Sequence, residues 1–283
     1  MKFKIGKLQV MTKSKKISST IALFFLGGIV TLNANVAYAK DMLQDRNGDG
    51  IVTALAFGDS ITRGIGDKTV SNAEISSGNA YRPGPGEGAG FPLRVANLLG
   101  IPVINKGIPG EITLPDGLSR FADTLRSTRP DLAIIQTGSN DAFNQKPRNR
   151  LFRGIQAMIN ISKFTNVQPV LVTLGMACCE HSGVINTLKD FSSDIRALGA
   201  INNVPVADIE RGFKNHCPVA ETCTLINRPE GLHPNTAGYN VMGQTITAKL
   251  LDIDISTSSG IRSFESATGL AKGSSSLKPN PAK

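Results

Sequence analysis

Five short apolar runs recur along the chain, and stretches with an apolar residue at every third or fourth position separate them. Ile51–Phe57 (IVTALAF) is apolar almost throughout and stops at Gly58. IPVINKGIPG, residues 101–110, runs into a glycine turn, and DLAIIQTGSND, residues 131–141, ends in a polar loop. QPVLVTL (168–174) and VPVADI (204–209) complete the set. Apolar runs of this length, closed by glycine or polar residues, read as buried strands. Helical spacing fills the intervals, over Phe91–Leu99, Leu118–Thr128, Arg148–Phe164, Val184–Asn202 and Thr236–Leu251. In the third of these, Leu151, Ile155, Met158 and Ile159 make one apolar face, with Phe152 at its margin. Strands that are apolar on both faces and alternate with helices predict a parallel sheet covered on both sides. The expected fold is therefore α/β, a three-layer α/β/α sandwich on a five-stranded parallel sheet. Sites in such sheets form in the loops beyond the carboxyl ends of the strands.

The two ends of the chain break this pattern. Lys2, Lys4, Lys7, Lys13, Lys15 and Lys16 open the sequence without an acid, IALFFLGGIVTL follows over Ile21–Leu32, and then Ala37-Tyr38-Ala39. A basic start, a short apolar run and a small-x-small cut site predict a secretory signal peptide over residues 1–39, cleaved near Ala39. The rival is an uncleaved anchor, but the run is short for a spanning helix. No cysteine lies near the cut to carry a lipid. The expected location is secreted or periplasmic, with no stable membrane span after cleavage. Residues 40–253 then form the folded domain. The segment 254–283 is rich in Ser, Gly, Lys and Pro and is expected to be a disordered tail.

Cleavage alters the charge balance. The formal charge of +9 includes six leader lysines, so the mature chain carries +3. That is too little, and too scattered among few aromatics, to suggest nucleic acid as a partner. The composition, 40% hydrophobic and 19% charged, is that of a globular domain. Four cysteines suit an oxidising compartment. A bond between the adjacent Cys178 and Cys179 would be strained. That leaves Cys217–Cys223, or both of the adjacent pair bridging to those two. The spacing is poor for zinc.

The polar residues that follow each strand carry the chemistry. After the first come Gly58-Asp59-Ser60; after the second, Gly107-Ile108-Pro109-Gly110-Glu111; after the third, Gly138-Ser139-Asn140-Asp141. Before the last helix stands Glu230-Gly231-Leu232-His233-Pro234. A serine hydroxyl at a strand-to-helix turn needs a base to become nucleophilic. An imidazole can be that base near neutral pH. Taken alone, Ser60 could merely cap a helix, and Gly110 and Asn140 could merely shape turns.

These four clusters, in this order, resemble the SGNH (GDSL) hydrolase superfamily, over roughly residues 51–251. The resemblance implies a flavodoxin-like α/β/α fold and a serine esterase working through an acyl-enzyme without cofactor. It implies Ser60 as nucleophile, His233 as base, and an oxyanion hole from the Ser60 N–H, the Gly110 N–H and the Asn140 amide. Gly107 competes with Gly110, which is favoured because the motif's glycine directly precedes an acid, here Glu111. The departure is Glu230, where the family has aspartate. Glu230 either orients His233, or points to solvent while a backbone carbonyl does so. His181 and His216 have no acid three residues before them and read as solvated loop residues, though His181 could line the cleft.

Two signals fall outside that assignment. DRNGDG places Asp45, Asn47, Asp49 and Gly50 as in the first half of an EF-hand calcium loop, but the twelfth position is Ala56. The stretch from Gly64 to Gly90 is long for a compact domain and is expected to overhang the cleft. The expected substrates are carboxylic esters of small molecules, lipids or carbohydrates. Short acyl or acetyl groups are favoured, and lipase or lysophospholipase action on longer chains is the alternative. A non-catalytic binding protein would be expected to lose Ser60 or His233. A calcium-linked attachment module would rest on DRNGDG alone.

Overall fold

The first strand, β1 (Ala54–Gly58), is buried at every position. It begins three residues later than the apolar run suggests, because Asp131 draws the preceding residues into a loop. The buried Asp131 carboxylate accepts the N–H groups of Arg46 (2.6 Å), Asn47 (2.9 Å) and Thr53 (2.7 Å), and Ile51 is left exposed. The computed structural model describes residues 42–69 and 89–281. The predicted leader lies outside the described residues, as do residues 70–88 of the long loop. That loop leaves and returns at one point, where Ala89 N–H donates to Thr69 O at 2.9 Å.

The other strands are β2 (Val103–Gly107), β3 (Leu132–Gln136), β4 (Gln168–Val172) and β5 (Val206–Ala207). All are parallel, in the order β2-β1-β3-β4-β5. The chain winds outward from β1 in both directions, so a crevice opens beyond the carboxyl ends of β1 and β3. The helices are α1 (Ser60–Arg63), α2 (Gly90–Leu99), α3 (Leu118–Thr128), α4 (Ser139–Phe143), α5 (Arg148–Phe164), α6 (Ile185–Asn202), α7 (Ile209–His216), α8 (Thr236–Leu250) and α9 (Ser258–Thr268).

The strand side chains alternate between two cores. Ala54, Ala56, Leu132, Ile134 and Val170 pack on Phe91 and Val95 of α2, Phe213 of α7, and Tyr239 and Ile246 of α8. Leu55, Phe57, Ala133, Ile135 and Leu171 pack on Phe121 of α3, Leu151 and Met158 of α5, and Phe191 and Ile195 of α6. Phe57 and Phe121 meet edge to face at 4.9 Å. Each Val, Leu, Ile, Met or Phe side chain among them, fully buried, contributes roughly 1.5–3 kcal/mol, and together they fix the sheet whose upper edge carries the site.

The segment expected to be a disordered tail is folded. Thr257 caps α9 by accepting Gly260 N–H. Ile261 and Phe264 pack with Ala248 and Leu277, flanked by Leu98, Ile253, Ile255 and Leu270. Beyond α9, the Glu265 carboxylate accepts the N–H groups of Gly273 and Ser275, both at 3.0 Å, and Gln244 accepts that of Ser276 at 2.7 Å. The few apolar residues sit at contact spacing within a segment whose Ser, Gly and Lys content suggests the opposite. Cys217 and Cys223 are joined, while Cys178 and Cys179 remain thiols, so the alternative in which the adjacent pair bridges to the other two does not hold. No helix among the described residues is long and apolar enough to cross a membrane. Phe264→Ala is expected to lower unfolding stability by roughly 3–5 kcal/mol, measured by urea denaturation; a loss under 1 kcal/mol would show that the tail packs weakly.

Candidate active site

The carboxyl end of β1 delivers Ser60. Asp59 caps α1, its Oδ1 accepting Ile61 N–H at 2.9 Å, and this turn leaves Ser60 as the first helical residue. Its N–H therefore has no acceptor inside the helix. Thr62 ties the turn to the end of β3 by donating to Gln136 Oε1 at 2.9 Å.

The base arrives from the far end of the chain. Ile226 and Pro234 form an antiparallel bridge, and Asn227 knots the loop between them. Its side-chain amide donates to the carbonyls of Gly66, His233 and Pro234, and its backbone carbonyl accepts Gly231 N–H at 2.8 Å. His233 then faces Ser60, with Nε2 2.8 Å from Ser60 Oγ. On the other side, Glu230 Oε1 lies 2.9 Å from His233 Nδ1. Glu230 Oε2 accepts the N–H groups of Leu232 (3.0 Å) and His233 (2.9 Å). Burial alone would push the Glu230 carboxyl up, but these bonds outweigh it and hold it at about 2. Glu230 therefore stays ionised at neutral pH, and the arrangement in which it points to solvent is not the one observed.

The candidate oxyanion donors differ in what already engages them. Gly110 has φ +79, a backbone conformation that favours glycine, and open space where a side chain would be. Its N–H donates to none of the described residues. Gly107 is otherwise occupied. Its N–H donates to Asn105 Oδ1 at 3.0 Å, and a Cβ there would lie 2.2 Å from Arg63 N, so it serves the packing of α1 on β2. Asn140 donates one amide N–H to Glu111 O at 3.0 Å, leaving a second. Arg120 holds Glu111 through a two-pronged ion pair at 2.7 and 2.6 Å, and its guanidinium lies over the Phe57 ring.

Sequence reasoning passed over several neighbours. Arg120 and Asn227 carry no local signature, since their partners are distant in sequence. His181 is not a solvated loop residue: its ring lies beside Glu230 and Phe143. His216 is half-buried beside the C-terminal segment, and burial followed by nearby Lys278 lowers its pKa. Asp59 and Asp141 sit inside the motifs and are both fully buried. Asp141 Oδ2 accepts Thr113 N–H (2.8 Å) and hydroxyl (2.9 Å), and burial raises its pKa. Burial also raises Asp59, to about 6; Ile61 N–H and His233 oppose the rise and Asp141 adds to it.

The DRNGDG turn is closed by its own backbone. Asp45 accepts the N–H groups of Gly48 (2.7 Å), Asp49 (3.2 Å) and Gly50 (2.8 Å), and Asn47 and Asp49 cap the next residues in the same way. The twelfth position, Ala56, is buried in β1, so the residues fit a capped turn and not an EF-hand. No group of three His, Cys, Asp or Glu suited to a metal occurs among the described residues.

A serine, an imidazole and a carboxylate in hydrogen-bonded series, beside unsatisfied N–H donors at the switch point of a parallel sheet, can carry out acyl transfer. The class is that of serine ester hydrolases on an α/β/α fold. The sequence profile of the GDSL-like Lipase/Acylhydrolase family matches residues 56–241, and the chain belongs to that family. Solved structures with this fold include a G-D-S-L family protein from Desulfitobacterium hafniense DCB-2 (23% identity, 70% of this chain and 99% of that one, TM-score 0.56). They also include an acetyl xylan esterase from Geobacillus stearothermophilus (19%, 70% and 94%, TM-score 0.57) and a lipase/acylhydrolase from Enterococcus faecalis (24%, 71% and 96%, TM-score 0.56). No curated protein matches the sequence.

The raised Asp59 pKa has a measurable consequence. The folded chain keeps a proton on Asp59 that the unfolded chain loses near pH 4, so stability falls as pH rises from about 4 to 6. Asn can cap α1 without that charge. Asp59→Asn should therefore gain stability relative to wild type between pH 4.5 and 7.5, by about 2 kcal/mol. Parallel urea curves at the two pH values would refute this if the difference between the proteins did not change.

Proposed function

We propose that the protein is a secreted or periplasmic serine esterase in which Ser60, His233 and Glu230 form the catalytic relay. The observation that carries this reading is the 2.8 Å contact between Ser60 Oγ and His233 Nε2, continued at 2.9 Å to Glu230. Ser60 Oγ attacks the ester carbonyl carbon as its proton passes to His233 Nε2. The resulting oxyanion is held by the N–H groups of Ser60 and Gly110 and the Asn140 amide. The imidazolium gives its proton to the departing alcohol oxygen, leaving acyl-Ser60. Water then attacks the acyl carbon with His233 as base, and the acid leaves. Glu230 accepts the Nδ1–H throughout and balances the imidazolium charge.

Short acyl or acetyl esters are the favoured substrates. The cavity behind α1, lined by Ile61, Ser139, Leu232 and Pro234, holds only about 10 Å³. A void of that size, lined by residues next to Ser60 and His233 in sequence, holds no more than a small group. A fold neighbour from Geobacillus stearothermophilus, 19% identical, is an acetyl xylan esterase. A second reading, lipase action on longer chains, is favoured by Ile108 (43% exposed) and Phe143 (57% exposed). Ile108 lies on the loop that bears Gly110 and Phe143 on α4, which bears Asn140, so both add exposed apolar surface near those residues. Export rests on the leader pattern of residues 1–39 and agrees with the Cys217–Cys223 bond.

The test is hydrolysis of p-nitrophenyl esters of increasing acyl length by the wild type and variants. Activity highest on acetate and absent in Ser60→Ala supports the short-acyl reading. Activity rising with chain length supports the second. Hydrolysis surviving in Ser60→Ala would overturn the relay. His233→Ala should abolish turnover, and Glu230→Ala should reduce kcat by roughly 10³–10⁴-fold, the scale of losing an orienting carboxylate. Unchanged kcat in Glu230→Ala would show that Glu230 is a bystander.

A further inference from the structure

Glu230 lies between two imidazoles, and only His233 belongs to the relay. His181, from the 3₁₀ segment Cys179–Val184, places its Nδ1 2.6 Å from the Glu230 carbonyl oxygen and 3.5 Å from Glu230 Oε1. A carbonyl can only accept, so His181 Nδ1 carries the proton, and the same N–H lies beside the carboxylate. The ring also meets Phe143, with centroids 5.5 Å apart, and is largely buried. The backbone around it is laced to the Glu230 loop. His181 N–H donates to Cys178 O at 2.8 Å, Cys178 N–H donates to Gly231 O at 2.8 Å, and Glu180 N–H donates to Pro229 O at 3.4 Å.

A glutamate has one more rotatable bond than the aspartate of the family pattern, and each free rotor costs order in a group that must hold another in place. Leu232 and His233 N–H groups fix Oε2. Oε1, the oxygen that meets His233, has beside it only one further donor among those described, the His181 N–H.

We propose that His181 is a positioning residue, which fixes the backbone and carboxylate of Glu230 so that Oε1 meets His233 Nδ1. The inference rests on the relay proposed above and deepens it, since His181 supports the acid and not the substrate.

The test compares wild type, His181→Asn, whose amide can still donate to the carbonyl, and His181→Ala. The first readout is the His233 Nδ1–H proton resonance of the resting protein, assigned by its absence in His233→Gln. It should persist in wild type and His181→Asn and be lost to exchange in His181→Ala. An unaltered resonance in His181→Ala overturns the proposal. The measurement needs no substrate, so failure of the esterase reading would appear separately, as hydrolysis that does not depend on Ser60.

The second readout is steady-state kinetics on the best ester. In His181→Ala kcat should fall about tenfold with KM little changed, and adding the substitution to Glu230→Gln should cost little more, as expected for two members of one network. His181→Asn should recover most of the loss. A raised KM at unchanged kcat would make His181 a substrate contact, and fully additive losses would make it merely structural; either result overturns the assignment.

Discussion

The site depends on one hydrogen bond, between Ser60 Oγ and His233 Nε2, which closes a loop of 173 residues. Chain entropy opposes such a contact, although the cost of closure grows only slowly with length. It is offset by the two apolar cores that hold β1 and α8 in place. Asn227 then sets the local aim of His233 through three carbonyls, and Tyr239 secures the loop after α1 by donating to Ile65 O at 2.8 Å. The bond is therefore the local outcome of packing spread over the whole domain.

Around that bond the groups divide into those satisfied by the protein and those left free. Gly107 and one N–H of Asn140 are engaged, whereas the N–H of Gly110 and the second N–H of Asn140 meet no acceptor among the described residues. Unsatisfied donors cost the resting protein something and become useful only when negative charge develops within their reach. The buried Asp59 and Asp141 tell a similar story: each keeps one oxygen without a well-placed donor behind the nucleophile. Stability is given up where the turn geometry of the site demands it.

The folded C-terminal segment extends beyond the part of the chain matched by the family profile. Its contacts fall on α8 and α2, the same helices that cover the β1 face of the sheet. It thus reinforces the scaffold on the side from which His233 is presented. Asp67 does related work at the base of the long loop. Its carboxylate pairs with Arg94 of α2 and accepts Gly90 N–H (3.0 Å) and the Thr236 hydroxyl (3.2 Å), so that α2, α8 and both ends of the loop share one buried anion.

How much of this was legible beforehand follows from the range of the forces involved. Continuous apolar runs between helical stretches were enough to establish a parallel α/β sheet, because burial on both faces leaves a local pattern. The order of the polar clusters resembles that of the family, and the resemblance nominated Ser60, His233, Gly110 and Asn140; strand ends in such a sheet share one edge, so the clusters could meet. The start of β1 was misplaced, since Asp131, 78 residues from Thr53, decides where the strand begins. The tail was misread because five apolar residues, Ile255, Ile261, Phe264, Leu270 and Leu277, were outweighed by local composition. Whether Glu230 turns toward His233, which glycine keeps a free N–H, and that His181 stands behind Glu230 were all decided by tertiary structure. The His181 contact joins segments 49 residues apart, and the Glu230 and Gly107 bonds, although only two or three residues long, depend on loop conformations that residue types alone do not record.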